Sequence, residues 1–80
     1  MKLLRRFLEK PADFTLNELT KILNTFGYKP TTIGKTGGSR IRFVHIDYPP
    51  ILLHRPHPKP ILKRYQIENI IHLLQQEGLL

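Results

Sequence analysis

No cysteine occurs among the 80 residues. Its absence excludes a disulfide scaffold, a thiolate zinc site and a cysteine nucleophile. Long apolar runs are missing as well. The longest are three residues, as in Ile51-Leu52-Leu53, whereas a helix crossing a bilayer needs about 20. The segment Met1-Lys2-Leu3-Leu4-Arg5-Arg6 has the charge of a signal-peptide start but not the apolar stretch of about 7–15 residues that follows in one. The expected location is therefore the cytosol, with no membrane partner. Acidic residues are scarce: six Asp and Glu stand against thirteen Lys and Arg, for a formal net charge of +7 and a pI near 10.2. A surplus of that size points to a polyanionic partner, nucleic acid first. Eighty residues fit one small domain. Three Tyr, four Phe and a hydrophobic content of 40% supply one modest core.

The surplus charge is concentrated. Residues 1–28 carry five basic side chains (Lys2, Arg5, Arg6, Lys10, Lys21) against Glu9, Asp13 and Glu18. Residues 29–64 carry Lys29, Lys35, Arg40, Arg42, Arg55, Lys59, Lys63 and Arg64 against Asp47 alone. Residues 65–80 hold only Glu68 and Glu77. The middle of the chain therefore contains the entire net excess. It reads either as a solvated basic surface or, better, as an electrostatic footprint for phosphates.

Apolar spacing places the elements. Leu3, Leu4, Phe7 and Leu8 give a short helix from Lys2 to Glu9, stopped by Pro11. Thr15-Leu16-Asn17-Glu18 is a capping box. Behind it Leu16, Leu19, Ile22, Leu23 and Phe26 form one stripe, which ends at Gly27. From Tyr28 the period becomes two. Tyr28–Ile33 reads as a short strand that Pro30 confines to an edge or an N-terminal position. Ser39–Ile46 alternates Ile41, Phe43 and His45 against Arg40, Arg42 and Val44. Ile51–His54 follows the turn Asp47-Tyr48-Pro49-Pro50. His54-Arg55-Pro56-His57-Pro58-Lys59-Pro60 reads as an extended loop with most φ angles fixed. A last helix is expected from about Ile61 to Glu77, with Leu62, Ile67, Ile70, Ile71 and Leu74 inward and Gly78 as its stop. The fold class is α+β: one domain in which a three-stranded antiparallel meander carries the two longer helices on one face.

The turn Gly34-Lys35-Thr36-Gly37-Gly38 leads into Ser39 and Arg40. It is not a nucleotide-binding P-loop, because Lys35 precedes the second glycine and a strand follows. It reads as a hairpin loop, or as one whose glycines admit a phosphate to Lys35, Ser39 and Arg40. No Ser/His/Asp nucleophilic set, helix-turn-helix, zinc finger or paired stacking motif is visible. Asp13 and Asp47 fall at turn or cap positions, where bonding to the local backbone accounts for them. His45 reads as a packed, hydrogen-bonded histidine and His72 as a rim residue. His54 and His57 flank Arg55 and Pro56 in the stiff basic loop. Two histidines without Cys or carboxylates nearby make a poor zinc site, and no metal or cofactor is expected. These two are either polar loop residues or the acid/base and phosphate-contacting groups of an RNA site.

The helix-strand-strand-strand-helix order, the Gly37-Gly38-Ser39-Arg40 lead into the second strand, the proline loop and the amphipathic last helix resemble the HicA toxins. In that family a loop histidine precedes apolar residues at +5, +10 and +13, which here gives His57, Leu62, Ile67 and Ile70. The resemblance covers residues 15–80 and leaves 1–14 as an N-terminal helical extension. It implies a fold like that of double-stranded-RNA-binding domains, cleavage of mRNA without a metal, and neutralisation by a small acidic antitoxin of the HicB kind. One position departs: the family's catalytic histidine follows Gly-Ser, where this chain has Arg40. Arginine clamps phosphate but is a poor general base, with a pKa above about 12. The implied site is therefore His57, then His54, for proton transfer and Arg40 for the phosphate. Lys35, Ser39, Arg42, Arg55, Lys59, Lys63 and Arg64 bind the RNA. Two rival readings are a non-catalytic RNA-binding module and a basic domain that docks only an acidic protein.

Overall fold

A computed structural model describes residues 1–32 and 40–80. Its elements are α1 (Lys2–Leu8), α2 (Leu16–Thr25), β1 (Lys29–Thr32), β2 (Arg40–Val44), β3 (Ile51–His54) and α3 (Arg64–Gln76). Strand β2 lies at the centre of an antiparallel sheet ordered β1-β2-β3, and Pro30 sits on an edge strand opposite Phe43. The α+β order read from the sequence is the one observed.

Alternation along the strands sorts their side chains. Ile41, Phe43, Ile51 and Leu53 are buried on one face, while Arg40, Arg42, Leu52 and His54 are exposed on the other. The buried face shares one core with Leu19, Ile22 and Leu23 of α2 and Ile67, Ile70, Ile71 and Leu74 of α3. Both helices thus cover the same face, and the opposite face of the sheet stays open to solvent.

Local chemistry fixes the helix ends. The Thr15 hydroxyl accepts from the Glu18 amide at 3.1 Å, and the Glu18 carboxylate accepts from the Thr15 amide at 2.9 Å. This reciprocal pair satisfies two amides that helix geometry would otherwise strand. Gly27 ends α2 at φ +94°. There it faces His45, which has left β2 and is packed and hydrogen-bonded as expected. The Asp47 amide donates to Nδ1 at 2.9 Å, so Nε2 carries the proton and donates to the Phe26 carbonyl at 2.9 Å. A Cβ at Gly27 would lie 2.7 Å from that Nε2.

Three expectations need correction. Helix α3 begins at Arg64 rather than Ile61. Ile61 instead forms an antiparallel bridge with Thr15, flanked by Leu62 N–H to the Phe14 carbonyl at 2.8 Å and Leu16 N–H to the Pro60 carbonyl at 2.9 Å. Long-range backbone pairing has overridden the helical spacing of Leu62. The second strand ends at Val44, because the His45 ring turns toward Phe26. The Asp47 carboxylate makes no hydrogen bond among the described residues, its amide donating to His45 instead, and Asp13 is not tied to its own backbone either: its carboxylate accepts from Arg6 at 2.9 Å. That guanidinium also lies 5.3 Å from the Phe14 ring centroid. Phe14 and Phe7 are both fully buried with ring centroids 5.1 Å apart, so α1 contributes to the core.

Candidate nucleic-acid interface

The open face of the sheet is built from the residues that alternation sends outward. Register places Arg42 opposite Leu52 and Arg40 opposite His54 on β3, with Thr31 beyond Arg42 on β1. Directly opposed residues of an antiparallel pair have Cβ atoms about 4.5–5.5 Å apart. A guanidinium and an imidazole therefore rise side by side from the end of the sheet. Arg40, Leu52, Leu53 and His54 line a cleft of about 230 Å³ there.

His54 is held from below. It is the last residue of β3, and its carbonyl accepts a hydrogen bond from Gln66 Nε2 at 3.0 Å. The Oε1 of the same amide accepts from the Lys63 N–H at 2.9 Å, at the start of α3. Gln66 is only 5% exposed, so its two ends tie the strand terminus to the helix terminus inside the protein. The loop between them is fastened again at Pro60–Leu62 by the bridge to residues 14–16.

Ion pairing sets the field of this surface. Asp13, Glu18 and Glu68 engage Arg6, Lys10 and Arg64. No carboxylate among the described residues lies within 4.0 Å of Lys29, Arg40, Arg42, Arg55, Lys59 or Lys63. The ion pairs thus gather where α1 meets α2 and α3, and the cations of the sheet and loop take part in none of them. A phosphate backbone is attracted by such a field over about 10 Å at moderate salt.

The residues singled out from sequence do not all meet. Arg40 and His54 are brought together, and Arg42 continues their face. Arg55 turns the other way: it lines a groove of about 350 Å³ with Asn17 and Thr20 of α2 and Pro30 and Thr31 of β1. His57 and Lys59 are exposed in the loop and line neither the Arg40–His54 cleft nor the groove at Arg55. Lys63 occupies the N-cap of α3, and Arg64 pairs with Glu68 at 3.6 Å in the helix's first turn. Lys35, Ser39 and the Gly34–Gly38 turn lie outside the described residues. No three His, Cys, Asp or Glu side chains among the described residues are grouped as metal donors are.

Sequence reasoning missed three residues that line a second cleft, of about 220 Å³, which adjoins the first at Leu52, Leu53 and His54: Tyr65, Gln66 and Asn69. Lys63-Arg64-Tyr65-Gln66 has glutamine at the third helical position, where it reaches back to the N-cap amide. That spacing was the available signal for Gln66.

The fold and site define a small α+β domain whose open sheet face carries a guanidinium–imidazole pair at one end. The family is also defined. Residues 16–79, four fifths of the chain, match the profile described as HicA toxin of bacterial toxin-antitoxin. The chain belongs to the HicA toxin family. No curated protein and no solved structure matches it significantly. No helix among the described residues is long and apolar enough to cross a membrane.

Proposed function

We propose that this protein is an RNA-binding toxin that cuts mRNA at the Arg40–His54 pair and is neutralised by a small acidic antitoxin of the HicB kind in the cytoplasm. The carrying observation is the register that sets Arg40 directly across from His54. Family membership supports the toxin role, and the fold order supports the likeness to double-stranded-RNA-binding domains. Cleavage follows the 2′-hydroxyl route. The His54 imidazole removes the ribose proton, the 2′-oxygen attacks the adjoining phosphorus, and the P–O5′ bond breaks to leave a 2′,3′-cyclic phosphate, the departing 5′-oxygen taking a proton from the imidazolium or from water. Arg40 holds the nonbridging oxygens, whose charge grows in the transition state. The geometry favours His54 over His57, although His57 matches the family's loop histidine. Residues 1–14 serve as a structural extension of the toxin domain.

The supporting test is the salt dependence of RNA binding. Log affinity for single-stranded RNA should fall linearly with log salt, and each phosphate contact removed should flatten the slope by about 0.7. Arg40→Ala combined with Arg42→Ala should reduce it by roughly 1.4. A flat parent curve would contradict RNA binding. One observation favours a second reading, a module that binds RNA without cutting it: arginine stands where the family's catalytic histidine would be. Absence of cleavage in EDTA, with binding intact, would select it.

A further inference from the structure

We propose that the cleft between β3 and the start of α3 is a nucleobase subsite, which takes the base adjoining the phosphate at Arg40. This rests on the RNA reading above and gives that site a means of choosing its sequence.

Two exposed apolar side chains set this cleft apart from the charged surface around it. Tyr65 is 56% exposed and Leu52 65% exposed. Both line the same depression with Leu53, His54 and Asn69. Its volume of about 220 Å³ falls below the roughly 300–1,000 Å³ of pockets that enclose drug-sized ligands, and it suits a single flat ring system. Position matters more than size. This cleft and the Arg40 cleft share Leu52, Leu53 and His54, so they adjoin as two halves of one trough, with His54 lining both. One half offers a guanidinium for phosphate. The other adds a phenol ring and a carboxamide to the leucine wall that both share.

That division matches a nucleotide, in which an anionic group and an aromatic ring flank the sugar. Tyr65 and Asn69 are four residues apart on α3 and so project from one face of the helix. The ring supplies a stacking surface, which accepts any base. The Asn69 amide carries two donor hydrogens and one acceptor oxygen, enough to prefer one base edge over another. One end of the trough is lined by Arg40, which has no carboxylate partner among the described residues, and its occupant is therefore an RNA strand in preference to an apolar protein segment.

The test measures binding of a short single-stranded RNA, 2′-O-methylated to block cleavage, with or without one abasic nucleotide placed in turn at each position. One abasic position should weaken binding to the parent. Tyr65→Ala should weaken binding of the complete RNA by about 5- to 150-fold, and Tyr65→Phe should retain parental affinity. The abasic penalty should vanish in Tyr65→Ala, since the base then has no platform to lose. Asn69→Ala should flatten the preference among the four bases at that position. Tyr65 and Asn69 are exposed, and a circular-dichroism melt confirms that each variant is folded. Salt-dependent binding with no abasic penalty at any position would overturn the subsite and leave the RNA reading standing. No salt-dependent binding to RNA would overturn both. Parental affinity retained in Tyr65→Ala would also overturn the subsite, since no base would then stack on that ring.

Discussion

Replacing Gln66 with leucine isolates the tie beneath His54. The change keeps side-chain volume and helix propensity but removes both bonds, the 2.9 Å acceptor for Lys63 N–H and the 3.0 Å donor to the His54 carbonyl. Each hydrogen bond contributes about 0.5–1.5 kcal/mol net, and a buried group left without its partner costs about 1–3 kcal/mol. The leucine itself recovers part of this, since the site is nearly closed to solvent and apolar atoms gain there. Together these terms give a loss of about 2 kcal/mol, or on the order of 10 °C in Tm for a domain of this size. The assay is thermal unfolding by circular dichroism, with amide hydrogen exchange at Lys63 as a local readout. Exchange at Lys63 should accelerate by more than the global loss of stability explains, because its acceptor has gone. A melt that overlays the parent's, with slow exchange at Lys63 retained, would refute the reasoning: the strand end would then be held without Gln66.

Other outcomes follow from the same packing. Gly27→Ala should cost about 1–3 kcal/mol, since φ is +94° there and the new methyl meets His45 at 2.7 Å; chemical denaturation measures it. Phe7→Ala should cost about 3–5 kcal/mol, a large share of the stability of a small domain, if the fully buried Phe7 and Phe14 belong to the core; unchanged stability would detach α1 from it. Burial, then the Glu77 carboxylate and Tyr48, push the Tyr28 phenol above its ordinary value of 10.0. The native state then holds that proton more tightly than the unfolded chain does. Its contribution is complete below about pH 10 and lost as pH rises through the native-state value, so the parent's extra loss at high pH relative to Tyr28→Phe is the observable.

Elements whose signals are local were legible from the sequence. The Thr15–Glu18 box needs only four residues, and the strand alternation around Arg40 and Arg42 needs only neighbours. The outward face of β2 therefore followed directly, and with it the cationic patch. Features that depend on distant partners were not legible. Ile61 and Leu62 have helical spacing, yet residues 14–16 draw them into a bridge. Asp13 looks like a turn residue until Arg6 reaches it from the preceding helix. The pairing of Arg40 with His54 depends on register across a turn, which spacing along one strand does not specify. Tyr65 and Asn69 passed unnoticed because exposed polar and aromatic positions on an amphipathic helix carry no periodic signature. Their meaning comes from β3 lying alongside.

The most direct test of the Arg40–His54 site is single-turnover cleavage in EDTA of an RNA carrying one deoxyribose at the cut position, beside its all-ribose control. The account predicts cutting of the control and none at the deoxyribose. It also predicts a loss of about 10²–10⁴-fold in His54→Ala with RNA affinity nearly unchanged, as expected for a proton-transfer group. Equal cutting of both RNAs would contradict attack by the 2′-hydroxyl, and full activity in His54→Ala would remove the imidazole from the mechanism.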